Sequence, residues 1–274
     1  MSPAARIGGF AAALAVLFGA AVAIGSAVGP THRADRAQAE GHAMGAAGDL
    51  PQGLAVAAHG FRLIASTAGF AAGERRDLTF RIADAGGETV RDFDVEHAKR
   101  MHVIVVRRDL TRYAHVHPEQ RPDGSWSVPL TLPDPGTYRV FADFTASGAD
   151  RVTLGTDLVV PGAVGEQPLP APVRSVSVDG YDVALAAGAG ELAFTVTRAG
   201  RPVTVEPYLG ADGHLVTLRQ GDLAYLHAHP VEHESAGGPI RFMVDYPSAG
   251  RYRLFLQFQH EGVVHTAAFT QEVR

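Results

Sequence analysis

The stretch GHLVTLRQGDLAYLHAHP, residues 213–230, reads as two alternating strands hinged at Gly221-Asp222, and its register decides how the chain folds. Alternation of apolar and polar residues has the two-residue period of a half-buried strand, and Gly at the first central position signals a two-residue hairpin turn. Pairing Gln220 with Leu223 sets Leu218 opposite Tyr225, Val216 opposite His227 and His214 opposite His229. Opposed residues share a sheet face, as do residues two apart along a strand. His214, His227 and His229 are therefore expected together at one end of one face.

The same pattern stands earlier in the chain. MHVIVVRRDLTRYAHVHP, residues 101–118, aligns without a gap, so that His102, His115, His117 and Pro118 fall on His214, His227, His229 and Pro230. Its centre, Asp109-Leu110, makes a poor two-residue turn, so this loop is expected to be longer. The same register brings His102 opposite His117 with His115 alongside, and a slip of one residue would separate them. LTF at Leu78 recurs as LAF at Leu192, and PGTYRVFADF at Pro135 recurs as AGRYRLFLQF at Ala249, which marks an internal duplication.

DPGTYRV resembles the corner that enters strand F of immunoglobulin-like sandwiches, where a Tyr two residues before the usual cysteine ties the chain back on itself. Val140 and Leu254 occupy that cysteine position, so an apolar core takes the place of a disulfide. The segment PGAVGEQPLPAPV, residues 161–173, has four prolines and reads as an extended, semi-rigid spacer between residues 54–160 and 174–274. Both halves have the length of one sandwich and carry short alternating runs such as RRDLTFRI, SWSVPLTL, ELAFTVTR and YRLFLQF between Gly, Pro and Asp turns. Trp126 in SWSVPL is expected in the sandwich core or at its edge. The expected fold is all-β: two tandem immunoglobulin-like β-sandwich domains after an N-terminal apolar helix.

Residues 7–30 carry no charge and approach the roughly 20 residues that span a bilayer, which reads as a retained anchor in the cytoplasmic membrane. Cleavage at the small residues Gly25 to Ala27 is the alternative. Either way residues 1–30 are the anchor or signal peptide and the rest is expected outside the cytoplasm. Residues 31–53 lack periodicity and read as a flexible stalk, in which His42 and Met44 are incidental. The net charge of −5, with no basic stripe, excludes a nucleic-acid partner on electrostatic grounds. There is no cysteine, so thiolate metal sites, cysteine nucleophiles and disulfides are excluded.

Any metal must then be held by histidine, carboxylate or methionine. Three neutral imidazoles suit Cu(II), Zn or Ni, and His-x-His on a strand supplies two of them without a long loop. Copper leads by affinity order and zinc is the alternative. The competing reading is that these histidines brace strand ends through backbone hydrogen bonds. Met101 should pack on the face opposite His102. His59, His97, His233, His260 and His265 are expected in solvated loops, although His97 lies close in sequence to His102 and with Glu96 could supply an extra ligand or a partner to one, without a match in the second copy.

On the repeated MHVIVVRRDLTRYAHVHP and GHLVTLRQGDLAYLHAHP segments, with DGSWSVPLTLPDPGTYRVFADF and YRLFLQFQHEGVVHTAAF, most of residues 54–274 resembles a family of exported, often membrane-anchored actinobacterial proteins with two related β domains and an HVHP signature. The resemblance implies an uncharacterised secreted protein, in some relatives associated with heavy-metal or copper handling. It carries a ligand role onto His102, His115, His117, His214, His227 and His229 and onto no catalytic residue. His-Ala-His in the second copy replaces the His-Val-His usual in relatives, a change on the face away from the histidines.

Three functions follow as expectations. The first is an extracytoplasmic metal-binding protein with one three-His site in each domain, for buffering, delivery or sensing of copper or zinc. The alternative is a structural or adhesive surface protein, for which an extracytoplasmic protein partner stays open. The third is a zinc hydrolase, which needs a general base near the site; only Glu96 and Glu232 offer one, and no nucleophile elbow or phosphate loop appears. No enzyme is expected.

Overall fold

A computed structural model describes residues 51–67, 69–188, 190–231 and 237–274, with only the backbone of His227. The expected anchor and almost all of the stalk lie outside these residues, as do His42, Met44, Glu232 and His233. Among the described residues no helix is long and apolar enough to cross a membrane.

The first half contains β1 (Ala57–Ala58), β2 (Phe61–Ala65), β3 (Arg75–Ala83), β4 (His102–Arg107), β5 (Ala114–Val116), β6 (Glu119–Gln120), β7 (Trp126–Thr131), β8 (Gly136–Thr145) and β9 (Arg151–Val160). The second contains β10 (Ser175–Val178), β11 (Tyr181–Ala187), β12 (Glu191–Arg198), β13 (Arg201–Pro202), β14 (His214–Arg219), β15 (Tyr225–His227), β16 (His229–Pro230), β17 (Ile240–Met243), β18 (Gly250–His260) and β19 (Val263–Val273).

Each half is two antiparallel sheets. In the first they run β1-β2-β3-β7-β6 and β5-β4-β8-β9; in the second, β10-β11-β12-β17-β16 and β15-β14-β18-β19, with β13 added beside β12. This is the A-B-E-D against C′-C-F-G arrangement of an immunoglobulin-like sandwich. Alternation fills each core: Leu78, Phe80, Trp126, Tyr138 and Val140 in the first, Phe194, Phe242, Tyr252, Leu254 and Phe269 in the second. Met101 and Trp126 lie in the first core, as their strand positions require. The corner is present twice: Tyr138 donates its hydroxyl to the carbonyl of Asp134 at 2.9 Å and Tyr252 to that of Ser248 at 2.8 Å.

Strands β4 and β14 are buried on both faces. Val103 and Val105 enter the first core, whereas Ile104 and Val106 join a third apolar cluster with Phe141, Val216, Leu218 and Phe255. The outer faces of the two C′-C-F-G sheets therefore pack on each other, within the single compact unit Gly48–Arg274. Tyr113 stacks on Phe255 across this seam with ring centroids 4.0 Å apart. Each Val, Leu or Phe fully buried there contributes roughly 1.5–3 kcal/mol. The proline-rich segment lies along the same seam: Leu169 packs on the third cluster, and the Gln167 N–H donates to Asp109 at 3.0 Å. Gln52 and Gly53, at the end of the expected stalk, are also held in place. The Tyr225 N–H donates to the Gln52 carbonyl at 2.9 Å, and Arg139 Nη2 donates to the Gly53 carbonyl at 2.6 Å.

The expected hairpin register is present, with Val216 opposite His227 and Leu218 opposite Tyr225. The turn differs from the expected two residues. Arg219 and Ala224 close a wider loop in which Leu223 takes φ 64° and is buried in the seam, while the Asp222 carboxylate is clasped by Arg219. The first hairpin has the longer loop expected of it, with Leu110 at φ 63° and Arg107 clasping Asp109.

The expected pairing of His214 with His229 is not formed. Sheet pairing of β15 stops at His227, and His229-Pro230 pairs instead with Met243 and Phe242 of the opposite sheet, leaving His229 exposed. In the first half the ladder likewise ends at Val103 and Val116, and β6 crosses to β7. A proline lacks the N–H that would continue the ladder, so the strand changes sheets at that point.

Candidate functional site

His102 begins β4 on the seam-facing side shared with Ile104 and Val106, and His115 lies opposite Ile104 on β5. His117 follows two residues on, so the ladder that positions His115 also returns His117 toward His102. One ligand atom from each of these three histidines lies within 4.8 Å of the other two. His214, at the start of β14, faces them across the seam, its ring centroid 4.6 Å from His115 and 5.6 Å from His102. Among the described residues the expected triad of the first half, His102, His115 and His117, comes together, and His214 of the second half joins it across the seam. Of the remaining expected ligands, His229 stands exposed, and the backbone of His227 pairs with Val216.

Proton bookkeeping defines what the cluster presents. His102 Nε2 lies 3.0 Å from the Glu96 carbonyl, which only accepts, so this nitrogen carries the proton and Nδ1 is bare. His115 Nδ1 lies 2.7 Å from the side-chain amide of Gln257, whose other end lies 3.4 Å from Thr266 Oγ1, a hydroxyl that can donate or accept. His102 Nδ1 and His115 Nε2 face one another 3.1 Å apart. Two nitrogens bound to one tetrahedral ion at ~2.0 Å stand about 3.3 Å apart. His117 Nε2 is buried with no hydrogen-bond partner.

Charge does not relieve this arrangement. Burial, followed by the neighbouring His117 and His102, lowers the His115 pKa to about 3. Burial, then His102 and Lys99, lowers that of His117 to about 4. Burial also depresses His102, against the opposing effect of its bond to Glu96. At neutral pH these rings are the uncharged form that binds metals. Asp143 lies opposite His102 in the ladder, and its charge opposes the lowering of His102 and His115. It accepts from Arg151 Nε at 2.9 Å, Thr153 Oγ1 at 3.2 Å and, across the seam, Tyr225 at 3.4 Å.

The sequence did not point to Gln257 or the Glu96 carbonyl, the two acceptors that orient the rings. A signal for the seam was present in the unbroken apolar run Val103 to Val106, since a strand that does not alternate is buried on both faces. Two of the histidines expected in solvated loops are placed differently. His265 is buried on β19 with Nδ1 2.9 Å from Asp179, and His260 Nδ1 lies 2.8 Å from the Tyr181 hydroxyl. His97 is half-buried beside the cluster, whereas His59 is exposed as expected.

The family described as Domain of unknown function (DUF8832) matches residues 56–157 and 175–274. No curated protein matches the chain. Among solved structures, similarity extends to the Escherichia coli adhesin FdeC, with 14% identity over 78% of this chain and 65% of that one and a TM-score of 0.27. A Salmonella alpha-2-macroglobulin mutant is 17% identical over 80% of this chain and 15% of its own length, with a TM-score of 0.28. Invasin, a bacterial integrin-binding protein, is 14% identical over 78% of this chain and 38% of its own, with a TM-score of 0.21. The chain thus spans less than two thirds of these structures, and likeness at this level carries no argument about function.

Proposed function

The chain belongs to the DUF8832 family, matching it in both of its halves, and from the histidine cluster we infer that it is a metal-binding protein holding Cu(II), or alternatively Zn(II), at the seam. The observation that carries this reading is the convergence of His102, His115 and His117, with His102 Nδ1 and His115 Nε2 facing each other 3.1 Å apart beside the unpartnered His117 Nε2. With their protons on the far ring nitrogens, both turn lone pairs toward a divalent cation between them. The opposite ring nitrogens are anchored on Glu96 O and Gln257 Oε1, the outer contacts that orient metal-bound histidines. Neutral imidazoles without thiolate or carboxylate favour Cu(II) by affinity order. The role is binding rather than catalysis, exercised outside the cytoplasm by a chain anchored through its N-terminal apolar segment.

A second reading has its own observation. The His115–Gln257 bond crosses the seam, so the same histidines can brace two docked domains of a structural or adhesive surface protein without any ion.

Calorimetric titration of the full-length chain with Cu(II) and Zn(II) decides between them. Stoichiometric binding abolished by His115→Ala and by His117→Ala is expected. No binding by the parent chain, with His115→Ala merely lowering its thermal midpoint, would establish bracing instead.

A further inference from the structure

Residues 52–55 lie at the seam and are bonded to both halves. The Tyr225 N–H of the second half donates to the Gln52 carbonyl at 2.9 Å. In the first half the Gly53 N–H donates to the Thr153 carbonyl at 2.9 Å and the Gly155 N–H to the Ala55 carbonyl at 2.8 Å, so the segment runs in the same direction as β9 along its outer edge. The Gly53 and Leu54 carbonyls both accept from Arg139 Nη2, at 2.6 and 2.7 Å. Two glycines make room for this approach. A Cβ on Gly155 would stand 2.1 Å from the Gly53 carbonyl oxygen, and one on Gly53, at φ 76°, would stand 2.5 Å from the Phe141 ring in the seam.

The second half has the same fold without this contact. Its turn Asp179-Gly180, at φ 49° and 82°, matches His59-Gly60, at φ 52° and 83°, which places Val173 at the position of Gly53. Ala268 stands opposite Phe255 in the ladder as Gly155 stands opposite Phe141. Residues with side chains thus replace both glycines. The chain there stays in its own sheet, where β10 pairs with β11 and the Leu185 N–H donates to the Arg174 carbonyl at 2.8 Å. Among the described residues no backbone hydrogen bond joins it to β19. Arg253, which aligns with Arg139, donates to Thr270 Oγ1 at 3.1 Å in place of two carbonyls. Sandwich topology alone therefore does not require residues 52–55 to sit where they do.

We propose that residues 52–55 are a clasp, seated on β9 and holding the second half through the Tyr225 N–H, that keeps the two halves docked. Drawing the clasp out strips that N–H of its acceptor and uncovers Phe141, and both changes favour opening of the seam. Docking is then controlled by the segment that joins the two sandwiches to the N-terminal region, with or without an ion at the histidines.

Because the chain has no cysteine, one introduced thiol reports opening through its rate of chemical labelling. Val216→Cys places it in the seam and Val183→Cys in the second core, both at fully buried positions. Each is combined, in the metal-free full-length chain, with Gly155→Ala, which fills the space of the Gly53 carbonyl, or with Gly53→Pro, which removes the N–H and cannot adopt a positive φ. Hydrogen exchange at the Tyr225 amide shows whether the clasp has left. Its release should speed labelling of the seam thiol at least about tenfold and leave the core thiol at its parental rate. Parental labelling of the seam thiol with Tyr225 deprotected would overturn the proposal. Equal acceleration of both thiols would also overturn it, since the segment would then support the fold at large. Parental protection of Tyr225 in both variants would do the same, because the second half would not be held by a segment seated on β9.

Discussion

At the residue scale the decisive feature is that the seam histidines are neutral because they are buried. An unfolded histidine titrates near 6.5, whereas His115 and His117 in the fold titrate at about 3 and about 4. Between those values and 6.5 the unfolded chain binds protons that the native chain refuses, so stability must fall as pH is lowered through that window and stay level above it. Urea midpoints of the metal-free protein should therefore decline from pH 6.5 to 4.5. The decline should be shallower in His117→Asn, which removes one of the two groups. Equal slopes in parent and variant would mean that His117 titrates alike in both states. The residue types were legible: a repeated His-x-His-Pro selects imidazole chemistry from sequence alone. How the rings are oriented was not, because that depends on Glu96 O and on Gln257, a residue 142 positions from His115.

At the scale of elements, the alternation of Val216 to Leu218 against Tyr225 to His227 fixed the pairing before any coordinates, and the corner tyrosines were recognisable from Pro135-Gly136-Thr137-Tyr138. The turns were read less well. Glycine at position 221 suggested two residues, yet the burial of Leu223 in the seam draws a wider loop, a tertiary demand that local turn chemistry does not contain. Tyr138 and Tyr252 each close a short loop before a central strand through one hydroxyl, while their rings fill the cores. Tyr138→Phe and Tyr252→Phe keep the ring and leave one carbonyl without its donor. Each should cost about 1 kcal/mol in chemical denaturation. A loss several times larger in either variant would show that the hydroxyl supports more than its own loop.

At the scale of the whole molecule, duplication has produced two sandwiches that bury their C′-C-F-G faces on each other, with apolar side chains along the seam and imidazoles at one end of it. The sequence displayed the duplication and even the doubly apolar strands, but the linker's prolines suggested separation where the chain makes an interface. Because His115 is held by Gln257 and lies beside His214, an ion at the cluster binds the docked arrangement and not two separated halves. Ligand that binds only one state stabilises it by RT ln(1 + [L]/Kd), about 2.7 kcal/mol at a hundredfold excess over Kd. Phe255→Ala removes a buried ring from the middle of the seam and its stacking on Tyr113, a loss of about 3 kcal/mol. Without metal this variant should unfold in two steps, the halves separating before the cores melt. With excess Cu(II) the steps should move back together toward a single transition, since the ion restores to the seam roughly what the ring supplied. If Cu(II) raises only one step and leaves the gap between them unchanged, the ion sits within the first half alone, and the second half contributes shelter but no ligand.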